Sequence, residues 1–205
     1  MNQEMTKSQC GDCKVCGKCG TLDCPEGRTC YTILVYSENV AGILNQITTV
    51  FTRRQVNIES LNVCASSTPG VHKYTITCFC TEEMVIMLTK QIEKKIDVLQ
   101  AHYFTDEEIF ILECSLIKVS TSQMLKDSEI GRIVRRHGAR IVEVNPTYSI
   151  IEKKGLTEEI VSLFQQLDER GAVLQFVRSG RIVVTKSPVE QLDRYLEERE
   201  SQRLK

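Results

Sequence analysis

Between Tyr31 and Val63 the chain passes from an apolar run through a polar turn into an amphipathic stretch, and then into a second apolar run. The first run predicts a strand over residues 31–36, and Ser37-Glu38-Asn39-Val40-Ala41-Gly42 predicts a turn after it. Ile43, Leu44, Ile47, Val50 and Phe51 recur at spacings of one, three and four, which predicts a helix over about 42–53. A strand over 56–65 follows, then the Ser66-Ser67-Thr68-Pro69-Gly70 turn, where Pro-Gly punctuates two strand-like runs. A strand over 71–80, a helix over about 82–95 carrying Val85, Leu88 and Ile92, and a strand over 96–104 complete the unit. The order βαββαβ implies a four-stranded antiparallel sheet with two helices on one face, the ferredoxin-like arrangement.

The order then repeats. A strand over 110–119 precedes a helix over about 127–137, with Ile130, Ile133 and Val134 on its face. Strands over 139–145 and 147–152 bend at Asn145-Pro146, and a helix from Thr157 to about Arg170 buries Ile160, Phe164 and Leu167 before a Gly171 cap. Strands over 173–177 and 181–185 flank an Arg178-Ser179-Gly180 turn. The predicted fold is α+β: two tandem ferredoxin-like (βαββαβ) domains, at 31–105 and 109–187, after a Cys-rich tail over 1–30 and before a charged terminal helix over 188–205. The junction at 105–108 is too short for a flexible linker.

Composition narrows the classes. A hydrophobic share of 41% and a charged share of 26% are ordinary for a globular protein, and a formal net charge of -1 gives no electrostatic case for nucleic acid or membrane surface. The start of the chain shows no basic-then-apolar signal pattern, and no apolar run approaches the roughly 20 residues of a membrane span. A cytoplasmic location follows as the expectation, and with it cysteines that are thiols or metal ligands rather than disulfides.

The strand, the Asn39–Gly42 turn, the helix and the Asn57-Ile58-Glu59-Ser60-Leu61 run together resemble the first half of an ACT domain, the amino-acid-sensing module of biosynthetic enzymes. The wording is most similar to the small regulatory subunits of acetolactate synthase, and the resemblance runs from about Tyr31 to Lys186. One position departs from the family pattern: Gln55 stands where the family usually has glycine between first helix and second strand. The resemblance implies a branched-chain amino acid, valine first, bound between two ACT domains of a homodimer, with Asn39, Ala41, Gly42, Ile43, Leu44, Asn57 and Ile58 around it. It implies a catalytic large subunit as partner, activated by this chain and made feedback-sensitive through it. Thiamine diphosphate, magnesium and FAD are then expected on that partner and no cofactor on this chain.

The residues themselves suit the task. An open first helical turn presents N–H donors and positive dipole to a carboxylate, and Gly42 lets a ligand approach the backbone. The side-chain amides of Asn39 and Asn57 offer donor and acceptor together, while Ile43 and Ile58 offer an apolar wall. From spacing alone the same residues fit plainer roles: Asn39 as a helix N-cap, Gly42 as a turn residue, Asn57 as a strand start.

Cys10, Cys13, Cys16, Cys19, Cys24 and Cys30 fall outside the resemblance. Overlapping Cys-x-x-Cys pairs suit a tetrahedral zinc site; the spacing before Cys24-Pro25 is one residue too long for a bacterial iron–sulfur run; and an apo tail is equally compatible. Cys78 and Cys80 share a strand face with Tyr74 and Ile76 and read as core. No GxxxxGK[ST], GxGxxG or GxSxG occurs, and the three histidines are scattered, so an independent active site is not expected. Two other classes share features with the chain. An RNA-recognition module has the same element order, but the third strand here, Lys73 to Phe79, lacks its glycine-bearing pattern. An electron carrier built on the cysteine tail would declare itself in a visible absorption spectrum.

Overall fold

The computed structural model describes residues 28–188 and Leu192. The tail cysteines Cys10 to Cys24 and the terminal helix expected over 188–205 lie outside the described residues, apart from Pro188 and Leu192. Cys30 does not belong to a tail: it sits in the first strand, opposite Phe79.

The first sheet is built from β1 (Thr29–Glu38), β2 (Ile58–Ala65), β3 (Val71–Cys80) and β4 (Val98–Phe104), all antiparallel, in the order β2-β3-β1-β4. Helices α1 (Ile43–Arg53) and α2 (Glu82–Glu93) cover one face. Ile33, Ile47, Ile76, Val85, Leu88 and Ile92 meet there with no exposed surface, each stabilising the fold by about 1.5–3 kcal/mol through leaving water. Cys78 and Cys80 lie in this core with their sulfurs 4.0 Å apart; the contact with Cys80, and then burial, push the Cys78 thiol up.

The second sheet contains β5 (Ile109–Ser120), β6 (Arg140–Val144), β7 (Tyr148–Gly155) and β8 (Val173–Arg178) in the order β6-β7-β5-β8. Its helices are α3 (Thr121–Lys126), α4 (Ser128–Arg136) and α5 (Thr157–Asp168). The sequence reading missed α3, whose start is marked by Ser120 accepting from Gln123 N–H, a Ser-x-x-Gln spacing that is a helix-start signal. On α5 the fully buried positions are Ile160, Leu163 and Leu167; Phe164 is half-buried and stacks on Phe176, ring centroids 4.4 Å apart.

The expected turn at Arg178-Ser179-Gly180 does not reverse the chain. Strand β9 (Ile182–Thr185) pairs with Ile109–Leu112 of β5 in the same direction as β8, which pairs with Ser115–Val119. Together β8 and β9 are one long strand interrupted by a bulge. Its extra residue bends the strand and re-aims a side chain, and here the side chain is Arg181.

Arg181 and Val183 point to the face of the first sheet that carries no helices. Leu34, Tyr36, Val71 and Phe104 from that face form one cluster with Ile109, Ile111, Val183 and Leu192. The connecting residues are tightly held: Glu108 N–H donates to Thr105 O, and the Glu108 carboxylate accepts from the Thr105 N–H and hydroxyl at 2.8 and 2.9 Å.

Candidate functional site

The start of α1 sits in the loop that leaves β1, and Gly42 makes it. Gly42 is the N-cap, at φ 91°, with no side chain capping the turn and no acidic residue in it. Helices α2, α3 and α4 are capped by Thr81, Ser120 and Asp127, and uncapped α5 carries Glu158 and Glu159 in its first turn. Among the described helices α1 alone therefore has neither a side-chain cap nor a first-turn carboxylate to balance the positive end of its dipole. A Cβ placed on Gly42 would meet nothing within 4 Å, so the approach to this turn is open.

Asn39 is not the cap. Its side chain is exposed, and its N–H donates to Gly70 O at 3.0 Å, which ties the loop to the β2–β3 turn. Ala41 is exposed beside Gly42; Ile43 turns into the core; Leu44 is 41% exposed. Asn57 and Ile58 lie at the far end of the helix. They line a groove of about 330 Å³ with Thr48, Thr52 and Gln55. Helix α1, eleven residues and about 16 Å long, runs from Gly42 toward the Asn57 end. The strand measure also sets them far apart: Asn39 is held at Gly70 and Ile58 lies opposite Cys78, about 26 Å further along the chain. Within one chain the seven residues thus fall into two separate groups.

The link between the groups is the C-terminus of α1. Arg54, Gln55 and Val56 close it with Gln55 N–H on Thr52 O at 3.1 Å and Val56 N–H on Phe51 O at 3.1 Å, the Schellman pattern. Gln55 takes φ 55° there, the left-handed conformation that glycine adopts most easily. The family's usual glycine is missing, yet the geometry it serves is kept.

Strand β2 is an edge of its sheet, so its outer N–H and C=O groups meet no strand within the chain. Val63 on β2 and Val40 in the loop are also left half-exposed, at 39% and 43%. By contrast, Tyr36, Phe79 and Phe104 on the helix-free face are buried, so that face offers no aromatic platform for nucleic-acid bases. Among the described residues no three His, Cys, Asp or Glu side chains come together as a metal site, and no helix is long and apolar enough to cross a membrane.

Residues 33–100 match the acetolactate (acetohydroxyacid) synthase small-subunit-like ACT domain family, and residues 112–187 match the family described as small subunit of acetolactate synthase. The acetolactate synthase small subunit of Bacillus subtilis is 34% identical over 143 residues, 69% of this chain and 82% of that protein. That of Haemophilus influenzae is 30% identical over 152 residues, covering 74% and 93%. The chain belongs to the acetolactate synthase small-subunit family. In fold it is similar to the crystal structure of the Thermotoga maritima acetolactate synthase small subunit, with a TM-score of 0.70 over 78% of this chain and 99% of that one, at 23% identity. The matched ACT region over 33–100 contains both residue groups, and the matched small-subunit region over 112–187 holds the β8–β9 bulge.

Proposed function

We propose that this chain is the regulatory partner of an acetolactate synthase catalytic large subunit. It does no chemistry itself; it raises the turnover of that cytoplasmic, thiamine-diphosphate-, magnesium- and FAD-dependent partner. It also transmits inhibition by a branched-chain amino acid, valine first, and residues 31–105 act as the sensor. The reading is carried by the split site: an uncapped, uncompensated helix start at Gly42 and a groove at Asn57 and Ile58, too far apart in one chain to hold one amino acid. A second copy, joined at the β2 edge, would bring the Asn39–Leu44 turn of one chain to the Asn57–Ile58 groove of the other. The effector's carboxylate would sit at the open helical turn, its ammonium on an asparagine carbonyl oxygen, and its aliphatic side chain against Ile58.

The test is reconstitution. The isolated chain should be a dimer and form no acetolactate from pyruvate. Mixed with its catalytic subunit it should raise turnover, and valine should then suppress the gain. A mixture that behaves as the catalytic subunit alone at every ratio sinks the proposal.

A further inference from the structure

Strand β2 comes close to the second sheet at Ser60. Ser60, two residues after Ile58, sits where the β2–β3 register slips, and its hydroxyl donates to Thr77 Oγ1 at 3.0 Å. Against it lies Gly180, in the bulge between β8 and β9. A Cβ built on Gly180 would stand 3.2 Å from Ser60 Cβ, so Ser60 occupies the space that any side chain at position 180 would need. Gly180 itself is at φ 77°, a conformation that favours glycine.

The bulge is anchored on both sides of that contact. Ser179 N–H donates to Cys114 O at 2.9 Å, and Cys114 N–H to Ser179 Oγ at 3.1 Å. Arg181, 1% exposed, donates to the Asp106 carboxylate at 2.8 and 3.4 Å and to Thr32 Oγ1 at 3.5 Å. It therefore joins β1 of the sensor, the connecting turn and the second sheet. Burial alone would pull the guanidinium's pKa down; Cys30, Asp106 and Glu113 hold it above the ordinary arginine value, so the charge stays. Arg178 is paired with buried Glu113 at 3.5 Å, which pins the other end of the bulge to β5.

We propose that Ser60, Gly180 and Arg181 form the clasp through which effector occupancy at Asn57 and Ile58 repositions the second domain. The proposal rests on the effector reading above. A slipped register interrupts the hydrogen-bond ladder locally, and Ser60 is in that slip beside the half-site. A shift of Ser60 toward the bulge closes the narrow space that only a glycine at position 180 leaves. Gly180 cannot yield alone, because Ser179 and Arg181 bind it to β5 and the connecting turn. The displacement therefore passes to the second sheet as a body. Ser60 and Arg181 are positioning residues here, and neither touches the effector.

The discriminating variant is Ser60→Gly, which removes the Cβ that meets Gly180 and leaves Arg181 in place. Three quantities are read: valine affinity of the isolated dimer by calorimetry, activation of the catalytic subunit, and the plateau of inhibition at saturating valine. Valine affinity and activation should match the wild type, while the plateau should fall to less than half its depth. Linkage is reciprocal, so wild-type valine affinity should change on adding catalytic subunit, within the roughly 5- to 150-fold range usual for coupled sites, and that change should shrink toward about 1-fold in the variant. Arg181→Lys, which keeps the charge but not the fork that spans Asp106 and Thr32, should act in the same direction and serves if Ser60→Gly folds poorly. A variant that binds valine and reaches the full wild-type plateau overturns the clasp alone. A wild-type chain that binds no branched-chain amino acid overturns the effector reading and the clasp with it.

Discussion

The N–H of Asn39 donates to the carbonyl oxygen of Gly70 at 3.0 Å, so the loop that opens α1 is tied through its backbone and not through the Asn39 side chain. That side chain is exposed and caps nothing, since the cap is Gly42. The two residues are therefore unequal as probes of the proposed effector site. Any side chain at Gly42 must adopt φ 91°, at a strain of about 1–2 kcal/mol, even an aspartate that most helix starts would welcome.

Asn39→Ala is accordingly the clean substitution. It should leave the unfolding free energy within about 0.5 kcal/mol of the wild type, as an exposed change with no cap to lose should. It should weaken valine inhibition of the reconstituted enzyme and spare activation. Unchanged valine sensitivity in this variant would remove Asn39 from the site.

Gln55→Gly should stabilise the ACT domain. Three helices end in the same pair of hydrogen bonds: α1 at Gln55, α4 at Gly138, α5 at Gly171, and the last two sit at φ 60°. Gln55 alone bears a Cβ in that conformation, and relieving it offsets more than the added freedom of glycine in the unfolded chain. A gain of about 1 kcal/mol in urea unfolding is expected. A loss would mean that the Gln55 side chain contributes something its backbone does not reveal.

The element order was legible in the sequence because apolar spacing reports which face of a segment is buried. Val85, Leu88 and Ile92, picked out by periodicity, are all fully buried. What spacing does not report is backbone handedness or chain direction beyond a break. Asn39 and Gly42 are both good cap residues, and only φ at Gly42 decides between them. Ser179-Gly180 suits a reversing turn and a bulge equally, so the continuity of β8 with β9 was hidden, and with it the burial of Arg181. A cation at the edge of a strand break reads as surface until its partners are known, Asp106 in the junction and Thr32 across it.

His102 should make the fold sensitive to mild acid. It lies on β4 on the helix-free face, opposite Leu34, with Phe104 beside it, and its buried Nε2 has no hydrogen-bond partner. Burial lowers its pKa, and nearby Glu93 offsets only part of that. The unfolded imidazole, near a pKa of about 6.5, thus takes up its proton before the folded one as pH falls. Stability from the neutral ring is complete above about pH 6.5 and is lost as pH drops below it toward the folded value. The urea midpoint should decline between about pH 7.5 and 5.5 in the wild type and decline less in His102→Gln. Equal declines would assign the acid sensitivity to other groups.

The split of the site predicts complementation between two defective chains. Asn39→Ala and Asn57→Ala dimers should each bind valine poorly, since every site in either dimer carries one lesion. In a mixed dimer with sites shared across a two-fold axis, one site collects both lesions and the other has none. Mixing the two variants under conditions that allow exchange should therefore restore tight binding, at about a quarter of the wild-type number of sites for random re-pairing of two-fold dimers. The restored sites should have wild-type affinity, because both of their asparagines are present. Were each site built within one chain, every site in the mixture would still carry a lesion and no tight binding would return. Titration calorimetry of the mixture reads number and affinity together, and a flat result after verified exchange would assign both asparagines of each site to one chain and overturn the split.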